Sequence, residues 1–211
     1  MTGRGVGRRL GAVSAVVALG VGGTVTAAGS ATAAPVRAVA STTATADVDY
    51  ATWQRDVQGV VDQATPYVAQ RAANAGGQKL ALVFDIDNTT LETDFHPWYQ
   101  LPTPAVKASL ELARYAHSRG VAVFFVTARP GIIASETKWN LQSVGYPVDG
   151  LYVRDLPDLF DEVSAYKTGK RARIESLGYT IVANVGNNTT DLVGGHAERT
   201  YKLPDYVGQL S

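Results

Sequence analysis

Lys79-Leu80-Ala81-Leu82-Val83-Phe84-Asp85-Ile86-Asp87-Asn88-Thr89-Thr90 is the stretch that decides the fold. Its first half (KLALVF, Lys79 to Phe84) is a short, nearly continuous apolar run, the pattern of a strand buried on both faces. Two carboxylates then follow at i and i+2, a spacing that puts both on one side of an extended backbone. Outward from this stretch the pattern repeats. Thr103-Pro104 starts a helix that Gly120 stops, and Val121 to Val126 (VAVFFV) is a second buried strand. A helix from about Gly131 to Val144 leads to a third strand, Gly150 to Val153, and a helix from about Thr168 to Leu177 leads to a fourth, Thr180 to Val185. Upstream, Tyr50, Trp53, Val57, Val60, Val61 and Ala64 recur at helical spacing, Thr65-Pro66 reads as the cap and first position of a second helical piece, and Gly76-Gly77 ends it. Apolar strands alternating with helices make parallel β-α-β units with right-handed crossovers. The expected fold is α/β: one three-layer, doubly wound, mostly parallel sheet. Thr90 to Val126 is filled by one crossover, which leaves no room for a large cap domain and an open site.

Ligands of open parallel sheets sit at the carboxyl ends of the strands. Asp85 and Asp87 follow the first strand, Thr127-Ala128-Arg129 the second, and Gly186-Asn187-Asn188-Thr189-Thr190-Asp191 the fourth, while Lys167 opens the helix before the fourth. Charged groups gathered at one sheet edge are costly unless they bind something. A carboxylate pair calls for a cation, and oxygen donors without His or Cys point to a hard one, Mg²⁺ first. Such a cation suits a phosphate substrate. An aspartate supplies a nucleophile, a second carboxyl an acid and base, and lysine, threonine hydroxyl and backbone N–H groups a cradle for phosphoryl oxygens.

Each of these residues also has a plain structural reading. Asp85 and Asp87 suit a turn. Thr127 suits a turn after the strand, Lys167 with Lys170, Arg171 and Arg173 suits a solvated basic helix face, and Asn187 and Asp191 suit helix caps at Asn188-Thr189. Phe95-His96-Pro97-Trp98-Tyr99 reads equally as a pocket lining or as core beneath a loop, with His96 the histidine to test as a substrate contact.

Four of these segments, in order, resemble the motifs of the haloacid dehalogenase (HAD) superfamily. Asp85 to Thr90 resembles the first motif, DxDxT; Thr127 in Val126-Thr127-Ala128-Arg129 resembles the second; Lys167 in Tyr166 to Arg171 the third; Gly186 to Asp191 the fourth, usually GDxxxD. Gly178 to Leu192 (GYTIVANVGNNTTDL) and Leu151 to Asp158 (LYVRDLPD) are similar to stretches of secreted acid phosphatases related to plant vegetative storage proteins. The resemblance covers residues 47 to 203. It implies an HAD-like Rossmannoid domain in which Asp85 attacks phosphorus and ligates Mg²⁺. Asp87 would be the general acid and base, with its carbonyl on the metal. Thr127, Arg129 and Lys167 would bind the phosphoryl group, and Asp191 would hold the metal through water. The departure is Asn187, where the family has an aspartate ligand. An amide oxygen brings no charge, so weaker metal binding is expected, by about tenfold.

The ends and composition bound the rest. Arg4, Arg8 and Arg9, an apolar run from Leu10 to Ala28 and Ala31-Thr32-Ala33 read as a signal peptide over residues 1–33, by the general or the twin-arginine route, with a membrane anchor as the alternative that the Gly-rich run disfavours. Residues 34–46 read as a flexible linker and 47–211 as the phosphatase domain. The whole chain has 19 basic and 19 acidic residues; losing three arginines with the leader leaves 16 against 19. That net charge near −3 excludes electrostatic affinity for duplex nucleic acid or anionic membrane. The absence of cysteine excludes disulfides and thiolate metal sites. The expected function is that of a secreted, extracellular phosphomonoesterase acting on a small phosphate monoester, with oligomeric state left open. A storage or ligand-binding relative with an impaired metal site is the non-enzymatic alternative, and phosphoryl transfer to an alcohol the enzymatic one.

Overall fold

A computed structural model describes residues 48–210. The expected signal peptide and linker lie outside the described residues. Strand β1 (Lys79–Phe84) forms over the KLALVF run. It pairs in parallel with β2 (Ala122–Pro130) on one side and β4 (Tyr179–Gly186) on the other. Outside these lie β3 (Gly150–Arg154) and β5 (Thr200–Lys202), also parallel, in the order β3-β2-β1-β4-β5. The chain winds from β1 outward to β3 on one side and from β4 outward to β5 on the other, so the change of winding direction falls between β1 and β4, where an open parallel sheet offers its crevice.

One face of the sheet packs on α1 (Tyr50–Ala73) and α2 (Lys107–Ser118), through Trp53, Val57, Val61, Leu82, Phe84, Leu112 and Phe125. The other carries α4 (Val163–Ser176), whose Tyr166 and Ile174 meet Ala81, Val83, Phe124 and Val126. Short helices α3 (Ala134–Ser143) and α5 (Thr189–Leu192) follow β2 and β4. Between β1 and α2 the chain makes only turns and one short 3₁₀ segment, so no cap domain intervenes there. Among the described residues no helix is long and apolar enough to cross a membrane.

The structure corrects several expected boundaries. The break at Thr65-Pro66 does not occur; α1 is continuous through Pro66. Trp53, Val57, Val61, Ala64 and Val68 form one buried stripe across it, while Pro66 and Asp62, whose carbonyl loses its helical donor, face water. Burial of the stripe outweighs one lost hydrogen bond replaced by solvent. Thr103-Pro104 does not start α2, which begins at Lys107. Thr103 is instead pinned to Asn140, donating its N–H to Oδ1 and accepting Nδ2 at its carbonyl, both at 2.9 Å. Strand β2 runs on to Pro130, and β5 is an additional strand. Helix α4 begins at Val163, capped by the Glu162 carboxylate on Ser164 N–H, so Lys167 sits in its second turn rather than at its start.

Candidate active site

The turn after β1 is closed by its own hydrogen bonds. The carbonyl of Ile86 accepts the N–H groups of Thr89, Thr90 and Leu91, and Asn88 takes φ +51°, a left-handed conformation asparagine tolerates. Thr90 Oγ1 closes the loop on the Asp85 carbonyl at 3.2 Å. This holds Asp85 at the tip of β1, where its N–H donates to the Val185 carbonyl of β4.

The floor of the site is a buried ion cluster. Lys167 reaches from α4 to donate to Asp85 Oδ1 at 2.6 Å and to Asp191 Oδ1 at 2.5 Å. All three side chains are at most 7% exposed. The other Asp191 oxygen accepts Asn188 N–H at 2.8 Å, one half of a capping box for α5. Asp191 is thus a helix cap and a member of the site together. Gly186 makes room for it: a Cβ there would lie 2.4 Å from the Asp191 Cβ. Burial, opposed by Lys167 and reinforced by Asp191 and Asp87, pushes the Asp85 carboxyl up to about 7. Burial alone would depress the Lys167 ammonium, but the two carboxylates outweigh it and leave it raised.

The rim is open. Asp87 is about a third exposed and receives Arg129 in a fork, Nη2 to Oδ1 at 2.7 Å and Nε to Oδ2 at 3.1 Å. Thr127 is fully buried on β2, its Oγ1 accepting the Arg129 N–H at 3.1 Å. Asp85, Asp87, Arg129, Lys167, Asn187 and Asp191 line one cavity of about 460 Å³; Thr127 is not in its wall. A second cavity of about 260 Å³ shares Asp87 and Arg129 and adds His96, Trp98, Leu101 and Ile133. Of the two readings of the aromatic loop, Trp98 takes the first, 89% exposed in that wall, and Phe95 the second, stacked on Trp53 at 4.4 Å.

Several supporting residues escaped the sequence. Arg171 is buried, donating to the carbonyls of Asp191, Val193 and Gly195 and so holding the Asp191 loop. Its i,i+4 spacing from Lys167 was the available signal, since Lys170 and Arg173 fall on the wetter side of α4. Asn184 Nδ2 donates to the Asp191 carbonyl at 2.9 Å. Glu92 is a buried carboxylate that accepts from Tyr50, Gln54 and His96, the last at 3.0 Å. Asn187 is buried; its N–H donates to Thr89 Oγ1 and its Nδ2 to the Leu210 carbonyl.

Among the described residues no three His, Cys, Asp or Glu side chains form a metal-holding group. The cavity's own chemistry nonetheless fits a hard cation. Its donors are oxygens, and three carboxylates face only Lys167 and Arg129, which leaves a formal charge of −1 before any anionic phosphate enters. A nucleophilic Asp85 must be anionic, and added positive charge favours that form.

A family model described as HAD superfamily, subfamily IIIB (acid phosphatase) matches residues 23–209. The chain is 27% identical over 173 residues to Acid phosphatase 1 of Solanum lycopersicum, covering 72% of this chain and 68% of that protein. It is 32% identical over 106 residues to the stem 28 kDa glycoprotein of Glycine max, covering 48% of this chain and 42% of that one. The solved structure of the class C acid phosphatase from Bacillus anthracis superposes with a TM-score of 0.61 at 18% identity, over 75% of this chain and 80% of that one. At that identity the likeness speaks for the fold.

Proposed function

The chain belongs to the HAD superfamily, subfamily IIIB, the acid phosphatases, and from that premise we propose that it hydrolyses small phosphate monoesters through an aspartyl-phosphate on Asp85. The observation that carries this reading is the pair of unlike carboxylates in one cavity: Asp85 sealed and aimed by Lys167, Asp87 open and held by Arg129.

Asp85 attacks phosphorus in line, and the P–O bond to the alcohol breaks. Asp87 protonates the departing oxygen, then takes a proton from the water that attacks the aspartyl-phosphate and releases inorganic phosphate. Two carboxyl groups with different surroundings divide the two roles. Lys167 fixes the Asp85 rotamer and offers charge to the phosphoryl oxygens, as do Arg129 and the Thr127 hydroxyl. The donors for Mg²⁺ would be Asp85, the Asp87 carbonyl, the Asn187 amide oxygen and, through water, Asp191; the cation supplies positive charge to the transferring group. Cleavage after Ala33 and release outside the cell complete the proposal.

The test is release of p-nitrophenol from its phosphate by protein lacking residues 1–33, across acid to neutral pH, with Mg²⁺ and with chelator. Metal-dependent turnover that disappears in Asp85→Asn supports the reading. A folded protein without turnover under any of these conditions speaks for the binding or storage role that the uncharged Asn187 favours. An added alcohol acceptor that gains the phosphoryl group would shift the assignment to a phosphotransferase.

A further inference from the structure

Asn187 stands where the family pattern has an acid, and its surroundings give the amide a task that an ionised carboxylate cannot perform. Its Nδ2 donates to the backbone carbonyl of Leu210 at 3.1 Å. A carbonyl only accepts, so the group facing it must be a donor; an amide qualifies and a carboxylate does not. The remaining polar atoms of Asn187 are also engaged. Its N–H donates to Thr89 Oγ1 at 3.0 Å, its Oδ1 lies 3.3 Å from that hydroxyl, and its carbonyl accepts Lys202 Nζ at 2.5 Å. One buried residue therefore joins the turn that carries Asp87, strand β5 and the segment 203–210.

That segment is built rather than loose. Leu203 and Leu210 are buried in the α1-side core, and Leu203 N–H donates to the Gly186 carbonyl. Leu210 N–H donates to the Asp205 carbonyl at 3.1 Å, and the Tyr206 hydroxyl to Asp56 of α1 at 2.8 Å.

We infer that Asn187 is a positioning residue: its amide fastens the segment 203–210 to the Thr89 turn, and through that turn it sets the placement of Asp87. The inference rests on the phosphatase reading for its catalytic consequence only. An acid at this position would set a carboxylate against the Leu210 carbonyl, so the change that restores the family pattern should loosen the site rather than repair it.

The experiment compares the wild-type chain with Asn187→Asp, Asn187→Ala and a variant ending at Gln209, by hydrogen exchange and by steady-state hydrolysis of p-nitrophenyl phosphate. Exchange in peptides spanning 203–210 should quicken by about tenfold in Asn187→Asp and by less in Asn187→Ala, with β1 and β2 unchanged. Combined with loss of Leu210, Asn187→Asp should add little, because the shared bond is already gone. At saturating Mg²⁺, turnover normalised to folded protein should fall by about tenfold with KM nearly constant, both in the substitutions and in the variant ending at Gln209; the normalisation removes general destabilisation, and the shortened variant keeps the Asn187 amide oxygen in place. Unchanged protection at 203–210 in both substitutions, or additive effects in the double variant, overturns the inference. Should Asn187→Asp not fold, Asn187→Ala decides by the same readouts. Exchange needs no turnover, so an inactive wild-type chain with the expected exchange pattern would count against the phosphatase reading alone.

Discussion

The floor and the rim of the cavity hold carboxylates only two residues apart, yet they obey different physics. On the floor, Asp85, Lys167 and Asp191 are sealed from water, where each charge depends on its neighbours for compensation. On the rim, Asp87 and Arg129 are paired just as closely, but solvent shares the work and screens the pair. The same residue types thus produce a rigid, strongly coupled group below and an accessible, exchangeable one above. A nucleophile needs the first, since its rotamer must not drift; a proton carrier needs the second, since it must trade protons with water.

The largest expected effect comes from the floor. Asp85→Asn should lower kcat by at least about a thousandfold while leaving folding stability equal or higher, because a desolvated carboxyl is removed and Lys167 keeps Asp191. The pH dependence sharpens this. The folded Asp85 carboxyl is raised from 3.8 to about 7, so with chelator present its contribution to stability is full below about 4 and is lost as pH rises toward 7. Chemical denaturation of wild type and Asp85→Asn across that window should show a slope present in the first and reduced in the second. Next in size, Lys167→Met leaves two buried acids without a counter-charge and should cost about 3 kcal/mol in the same measurement. Equal stability with wild type would mean that the floor is no more coupled than the rim.

Rim substitutions should be milder to folding. Arg129→Ala should lower kcat/KM by about tenfold while costing under about 1 kcal/mol of stability, since the Asp87 pair is partly exposed. A larger stability loss would erase the contrast. Smallest of all, Trp98→Ala should move KM for an aromatic phosphate ester by a few-fold, with a stability change within about 0.5 kcal/mol. A thermal melt beside a substrate titration reads both.

The limits of the sequence reading follow the same division. Strand β1 could be read to the residue, because a six-residue apolar run bounded by a lysine and an aspartate has one good interpretation. The continuous α1 could not. Thr65-Pro66 is a sound local start signal, and only the buried stripe on both sides of Pro66 overrides it. Strand β5 has three residues, two of them exposed, and exists because β4 offers it an edge. Arg171 was grouped with the surface cations because composition does not say which side of α4 faces the sheet.

The sequence by itself determined the α/β class and the family, and it named Asp85, Asp87, Arg129, Lys167, Asn187 and Asp191, which line one cavity, with Thr127, which does not; the order of the strands in the sheet came from the fold. Apolar periodicity and the rule that ligands gather at strand ends are local or nearly local properties. Only the tertiary structure decided which acid is sealed and which is open, that Lys167 bridges Asp85 to Asp191, and that Asn187 faces Leu210. Each of these depends on burial and on contacts between residues as many as 82 positions apart, as Lys167 and Asp85 are. Desolvation and hydrogen-bond complementarity are properties of a place in the fold, and a residue acquires them only when the chain has closed around it.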